Sequence, residues 1–505
     1  MSTYISEVVE GNKSIKLTDN QIDINKNIIT VIIGNNGSGK SRLLKTICYF
    51  HILSYLDERD IAFPSYRNDR NFLSQVGFDT SIIFNINGET NKVGVTNYSK
   101  YGSNNIIDIN ANNNSYKKKN VNKIKKIIAI STSPFDKFPI MSRRNRMHFS
   151  ASTKNYYRYF GARTENRNSE DYLKSKFNQL GSSIISFFLG RDGKKANLIP
   201  LFNYLGLNTT LTLITSIPFP LDFVNDNNRD INETRKSILF FKNEEDPDVL
   251  SENEKNIINT AIEKFKNFIS RDNNRYNRSE TLNFTIDINN ISIIDDIYND
   301  LSILSKYDLI EVSNIEFTKK ENNKNFLLTD ASSGELCTLF TIIAIAGEID
   351  EDTIVLIDEP ELSLHPAWQY SFMPLINSVF HGFNGCHFII ATHSPQIISS
   401  LEKTNSFIVT MDDKESKLYS ASKYFHRSSD YQLAKIFNFP GYRNEYLLNE
   451  AIELLSLISE NEKIDNDVLR RSDDIIKLLN LLEDKNDPVY KLINTIKKAM
   501  EIINK

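Results

Sequence analysis

The stretch Asn27 to Ser41, NIITVIIGNNGSGKS, constrains this chain more than any other. An apolar, β-branched run stops at a glycine-rich turn. Beyond it, Leu43, Leu44, Ile47 and Phe50 recur at helical spacing, which predicts a helix from Lys40 to about Leu56. The turn Gly34-Asn35-Asn36-Gly37-Ser38-Gly39-Lys40-Ser41 fits the phosphate-loop pattern G-x-x-x-x-G-K-[ST] at every fixed position. Gly37 and Gly39 permit positive φ, so successive N–H groups can converge on an anion, and the helix start adds its positive end. Lys40 is expected to reach the β- and γ-phosphates of ATP, with the Ser41 hydroxyl on Mg²⁺.

Bulk properties remove several alternatives. The chain has 505 residues, enough for several domains, and 25 % charged residues with a net charge of −4. Nothing global therefore advertises a polyanion partner. Cys48, Cys337 and Cys386 show no paired spacing, which argues against a disulfide framework or zinc site and fits a reducing cytoplasm. The start, MSTYISEVVEGNK, is polar and acidic where a signal peptide is basic and then apolar. The longest apolar run, Leu336 to Ala346, is too short to span a bilayer, so no membrane contact is expected.

Four segments are expected. Residues 1–165 form a first lobe with short strands at Ser14–Leu17, Gln21–Ile24 and Ile28–Ile33, a hairpin around Asn87-Gly88, and a buried strand at Lys126–Ser131. The Ser/Pro/Asp turn after that strand, residues 132–139, reads either as an active-site loop that brings Asp136 to the nucleotide or as a plain strand-end turn. The lysine-rich end of Ser103–Lys126, with Arg143, Arg144 and Arg146, reads either as a solvated loop or as a backbone contact for DNA or RNA. Residues 166–280 read as a helical insert, by the spacing in Tyr172–Leu189 and Ser251–Phe268. Residues 281–425 form a second lobe, and 426–505 an all-helical tail. The stripe Leu447, Leu448, Ile452, Leu455 and Ile458 in that tail fits core or partner docking.

The second lobe carries four further signals. Thr329–Leu336 brings Ser332-Ser333-Gly334-Glu335 to the start of an apolar helix. Such a corner is either a helix cap with its capping acid or a second anion site. Because the phosphate loop already occupies one side of a nucleotide, the second site most simply serves another copy of the chain. Thr353–Pro360 is an apolar strand ending in Asp358 and Glu359. An acid at that strand end can hold Mg²⁺, which assigns Asp358, and the next, Glu359, can polarise the attacking water. Glu361 to Pro366 comes next, and then His387–Pro395, a buried strand ending in His393, which can reach the γ-phosphate or the water. His365, His381 and His387 read as structural or surface groups.

In this order the signals resemble the ABC-type ATPase heads of the SMC, RecF and OLD group, over roughly residues 10–165 and 280–425. Ser332, Gly334 and Glu335 stand at the signature positions, with Ser333 in place of a usual glycine. IVLIDEPELSLHP resembles a Walker B strand running into the D-loop, and His393 the switch histidine. No Q-loop glutamine stands out, and the loop 131–138 takes that place. The resemblance implies an α/β ABC-type ATPase head with a split, mixed and parallel sheet, and a homodimer that sandwiches ATP.

TSPFDKFP, the insert and the tail also resemble the ATPase subunit of Septu-type anti-phage systems, including those carried with retrons. That implies a nucleotide-gated regulator of an HNH nuclease partner, with a reverse transcriptase and non-coding RNA in some members. The competing readings are a RecF- or SMC-like DNA-repair ATPase and the ATPase partner of a Toprim nuclease. Neither a Toprim pattern nor an HNH histidine cluster is visible, so nuclease chemistry is not expected in this chain.

Overall fold

The computed structural model describes residues 2–19, 22–55, 80–96, 106–111, 123–133, 135–139, 156–161, 169–189, 196–216, 252–271, 281–289, 296–306, 309–412, 415–460 and 465–503. Strands β1 (Thr3–Glu10), β2 (Lys13–Lys16) and β3 (Ile28–Gly34) precede helix α1 (Lys40–Tyr55). Then come β4 (Thr80–Ile86), β5 (Glu89–Thr96), β6 (Ile106–Ala111), β7 (Lys126–Ser131) and β8 (Tyr157–Phe160). The middle holds α2 (Ser169–Leu189), α3 (Ile199–Tyr204), β9 (Leu207–Ser216), α4 (Glu252–Arg271), β10 (Thr281–Asp287) and α5 (Asp296–Lys306). After β11 (Glu311–Lys319) and β12 (Asn325–Leu327) come α6 (Ser333–Glu348), β13 (Thr353–Asp358), α7 (Pro366–Phe380), β14 (His387–Ala391), α8 (Pro395–Ser399), β15 (Ser406–Met411) and β16 (Ser416–Ser420). The tail is α9 (Ser429–Lys435), α10 (Glu445–Glu460), α11 (Asn466–Ile476) and α12 (Pro488–Ile503).

A seven-stranded sheet in the order β16-β15-β3-β14-β13-β7-β8 runs through the centre, parallel except at β16. Its central strands are apolar at nearly every position because both faces are covered. Val31, Ile33, Ile128, Ile130, Val355, Ile357 and Ile390 point to one core, and Ile32, Ile127, Ala129, Ile354, Leu356, Ile389 and Ala391 to the other. The second core takes Leu43, Leu44 and Ile47 of α1 with Ile5 and Val8 of β1. The first takes α6, which is buried from Thr338 to Gly347. Gly347 is required by close approach, since a Cβ there would stand 2.7 Å from the Ser183 carbonyl of α2.

Two smaller sheets flank this layer. One is antiparallel, β2-β1-β4-β5-β6, and its β4–β5 turn has Asn87 at φ 54° and Gly88 at φ 85°, as an Asn-Gly hairpin needs. The other is β10-β9-β11-β12. The tail helices close on their own core of Leu447, Ala451, Leu454, Val468, Ile475, Val489, Ile493 and Ile496. Of the apolar stripe on α10, Leu447 is central, Leu448, Leu455 and Ile458 pack beside it, and Ile452 is half exposed. Among the described residues no helix is long and apolar enough to cross a membrane.

The start of the chain forms β1, whose Thr3, Ile5 and Val8 are buried while the residues between them are mostly half-buried. Two expectations need correction. No strand forms at residues 22–24, and Gln21 lies outside the described residues. The insert 166–280 is not helical throughout: β9 sits within it, with Leu207, Leu211, Leu213 and Thr215 buried. That inward set steps mostly by two, a strand period, in a segment rich in threonine. Lys117 to Lys119 and Arg143, Arg144 and Arg146 lie outside the described residues. At the end of the same basic segment, Lys126 pairs with Glu348 at 2.8 Å and Lys125 with Asp352 at 3.6 Å.

His387 fastens two layers. Its Nδ1 accepts the Ile5 N–H at 3.2 Å, and its Nε2 stands 2.8 Å from the Thr30 hydroxyl. Burial pushes its pKa down to about 3, so the ring folds neutral. Because the folded value lies below the unfolded one, this group's stabilisation is present above about pH 6.5 and lost as pH falls. His387→Ala should therefore cost about 3 kcal/mol near neutral pH, through the cavity and stranded donors. Near pH 5 it should cost about 2 kcal/mol less. Urea melts at the two pH values check both numbers.

Candidate functional site

The site forms where β3, β14, β13 and β7 end side by side. Ile32 pairs with Ala391, Ala391 with Asp358, and Asp358 with Ser131. Gly34 closes β3 against β15, where a Cβ would come within 2.3 Å of the Met411 carbonyl. The loop then turns with Gly37 at φ 85° and Gly39 at φ 97°, and the Ser38 N–H donates to Asn35 O at 3.1 Å. Asn35, Asn36 and Gly37 are exposed at its tip, whereas Lys40 is buried. The Lys40 ammonium donates to the carbonyls of Gly34 at 2.9 Å and Asn35 at 3.3 Å. The buried Ser38 hydroxyl has no hydrogen-bond partner, an orphan donor within this loop.

Ser41 begins α1 and its hydroxyl donates to Asp358 Oδ1 at 3.1 Å. Residues 317 positions apart in sequence thus share one hydrogen bond. Asp358 is 3 % exposed. Burial raises its pKa to about 7, opposed by the Ser41 bond and assisted by the charges of Glu359, Asp136 and Glu361. Glu359 is next, with φ 50°, a left-handed conformation costly for any residue but glycine. Its N–H donates to Ala391 O at 2.9 Å and its carbonyl accepts from the Thr132 hydroxyl at 3.2 Å.

His393, just past β14, places Nε2 at 4.0 Å from the Glu359 carboxylate. Burial, then the Lys40 charge, lower its pKa, with Glu359 opposing, which favours the neutral imidazole. Burial also lowers the Lys40 pKa, while Glu359, Asp358 and Glu361 all act to raise it. Lys40, Ser41, Asp358, Glu359 and His393 therefore form one group.

Asp136 fits the strand-end-turn reading of its loop. It closes the turn by accepting the Phe138 N–H at 3.1 Å and the Tyr159 hydroxyl at 2.6 Å, and its charge reaches Asp358. Glu361, to which sequence reasoning gave no role, accepts the His393 N–H at 2.5 Å. Its sequence signal was an acid three positions past Asp358, in Glu-Pro-Glu.

The serine corner is a helix cap. Ser332 is the N-cap of α6: Glu335 N–H donates to its hydroxyl at 3.3 Å, and Ser332 N–H donates to Glu335 Oε2 at 2.9 Å. Burial alone would raise the Glu335 pKa, but the Lys319 ion pair and the Ser332 bonds hold it below the ordinary value. Ser332 and Ser333 remain exposed, and Gly334 packs on Ser363 and Trp368. These bonds run to Glu335 and Lys319, not to the phosphate loop of the same chain.

The donor set suits a nucleotide with a hard cation. Loop amides and Lys40 can donate to an anion, and Ser41 with Asp358 offers two oxygens. Among the described residues no cluster of three metal-ligating side chains occurs. A hydroxyl and one carboxylate are what Mg²⁺ uses when phosphates and water complete its shell.

A family model described as AAA domain, putative AbiEii toxin, Type IV TA system matches residues 29–399. The chain is 35 % identical over 113 residues to protein ea59 of Escherichia phage lambda, covering 21 % of each. It is 31 % identical over 105 residues to the retron Ec83 probable ATPase of Escherichia coli, 19 % of each. It is 26 % identical over 207 residues to the retron Vc95 probable ATPase of Vibrio cholerae serotype O1 biovar El Tor, 38 % of each. The chain thus spans only about a fifth to two fifths of these curated relatives. A solved SMC head domain from Thermotoga maritima aligns with 82 % of this chain and 98 % of its own, at 12 % identity and a TM-score of 0.29.

Asp358 is a buried acid whose folded pKa lies above its unfolded one, so its ionised form costs stability as pH rises towards about 7. Asp358→Asn keeps an acceptor for Ser41. It should raise the Tm of the nucleotide-free protein near pH 8, and the gain should shrink as pH falls towards about 4. Calorimetry across that range checks the sign.

Proposed function

The chain belongs to the AAA-domain family described as putative AbiEii toxin, Type IV TA system, and has an α/β architecture built on a mostly parallel seven-stranded sheet. On that premise we propose that it binds and hydrolyses ATP with Mg²⁺, and that nucleotide state gates a partner nuclease in anti-phage defence. The observation that carries the reading is the Ser41–Asp358 hydrogen bond of 3.1 Å beside Lys40. It brings a phosphate-loop hydroxyl and a strand-end carboxylate to one point.

Each residue takes a role from its place. Backbone N–H groups of Gly34–Gly39, with Lys40, hold the β- and γ-phosphates. Ser41 and Asp358 would hold Mg²⁺, which would supply charge neutralisation at the phosphates. Glu359 orients a water and takes its proton as the water oxygen attacks the γ-phosphorus. The bond from that phosphorus to the β–γ bridging oxygen breaks, leaving ADP and phosphate. Neutral His393 hydrogen-bonds the γ-phosphate or the water. Ser332, Ser333, Gly334 and Glu335 present the α6 N-terminus to the γ-phosphate held by a second copy, for which the exposure of both serines leaves room.

Support for a partner comes from the tail. Phe439 and Tyr442 are 67 % and 61 % exposed on a loop pinned by Asn444 to Pro440 O at 2.9 Å and by Arg443 N–H to Asp487 at 2.8 Å. Rigid exposed aromatics beside an arginine are anchors for protein docking. Two relatives are named as probable ATPases of retrons, which favours a defence setting. An HNH-type nuclease is the partner proposed, and DNA, reverse transcriptase or non-coding RNA would join through that complex.

Three outcomes test this reading. Lys40→Ala should abolish ATP-dependent thermal protection. Glu359→Gln should bind ATP, lose at least about tenfold in turnover, and elute with ATP and Mg²⁺ as a dimer. Parental turnover in Glu359→Gln would sink the base assignment. Third, an HNH protein encoded beside this chain should co-elute with it, and Phe439→Ser with Tyr442→Ser should release it. Retention by that double variant removes the tail loop as the dock.

A further inference from the structure

Two struts leave one short turn and end on the loop that carries His393. The turn, Glu361 to His365, is tightly wound: Leu362 N–H donates to Glu359 O at 3.2 Å, Leu364 N–H to Glu361 O at 3.0 Å, and Ser363 sits at φ 67°. The first strut is the Glu361 carboxylate, whose Oε1 accepts the His393 N–H at 2.5 Å. The second is Gln369 at the start of α7. Its Nε2 donates to Leu364 O at 3.0 Å, and its Oε1 accepts the Ser394 hydroxyl at 2.7 Å.

The same turn carries the serine corner on its other side. A Cβ at Gly334 would stand 3.2 Å from Ser363 O, and the Cys337 thiol donates to Leu362 O at 3.5 Å. Helix α6 thus rests on the turn, and the turn holds the histidine loop. Any shift of α6 against β13 moves both struts, because packed elements transmit displacement rather than absorb it.

The choice of an acid for the first strut needs a reason. Glu361 Oε2 is sealed from solvent, and burial raises the acid's pKa despite the His393 N–H and the Thr392 hydroxyl. A carboxylate so placed costs stability, and an apolar side chain would fill the space more cheaply. What an apolar group cannot do is fix the direction of the His393 N–H.

We propose that Glu361 is a positioning residue. It fixes the His393 loop to the turn beneath the Ser332–Gly334 corner, so that docking of a second copy at that corner sets the histidine's place at the γ-phosphate. This rests on the proposed roles of His393 and the serine corner, and goes beyond them by naming the connection.

Steady-state ATP turnover by the full chain tests it. Glu361→Ala should lower kcat at least about tenfold, with KM within about threefold and no fall in Tm. Glu361→Gln keeps an acceptor for the His393 N–H and should recover most of the loss. Gln369→Leu cuts the second strut and should lower kcat in the same direction, and it decides the matter alone if Glu361→Ala fails to fold. The inference is overturned if both variants turn over within about twofold of the parent while Glu359→Gln is inactive. It is also overturned if KM rises and Tm falls in step with kcat, which marks a packing role. Should Glu359→Gln keep parental turnover, the underlying reading of the site falls and takes this one with it.

Discussion

Everything at this site depends on four parallel strands that stop at one level. A parallel ladder locks its register through both neighbours, so Ile32, Ala391, Asp358 and Ser131 stand in line across the sheet. The residues that leave each strand must then emerge at one edge: the phosphate loop after β3, His393 after β14, Glu359 after β13 and Thr132 after β7. A slip of one residue in β13 would turn Asp358 to the opposite face. The double burial of this sheet is what forbids the slip, since Ile354 and Leu356 feed one core while Val355 and Ile357 feed the other.

Much of this arrangement was legible in the sequence. Asn27–Ser41 carries its own turn chemistry, and the β13 and β14 runs are short, apolar and bounded, as buried strands are. The strand β1 was less visible, because its half-buried Glu7 and Glu10 interrupt the apolar alternation that marks a strand. The strand β9 lay between helical patterns, and its pairing with β10 and β11 is a long-range fact with no local trace. Glu361 was present in plain view, but its hydrogen bond to a residue 32 positions away is set by register, not by spacing. The serine corner was read two ways, and the cap proved compatible with exposure because Ser332 uses its hydroxyl while Ser333 stays exposed.

The site is costly in isolation. Asp358, Glu359 and Glu361 crowd one lysine, two of them with raised pKa, and Glu359 adds a left-handed backbone. Strain and like charge of this kind persist only where the surrounding structure over-determines them. Here two cores and three sheets do so, and the cation that accompanies a polyphosphate would relieve part of the repulsion by placing positive charge beside Asp358.

The Lys40 ammonium has a further consequence. It is already engaged by two carbonyls of its own loop, at 2.9 and 3.3 Å. An arriving phosphate competes for a donor that has found other acceptors, so the gain on binding is an exchange, smaller than a fresh ion pair. In return the loop keeps its shape while it waits, and an incoming ligand meets a finished mould, not one it must first assemble.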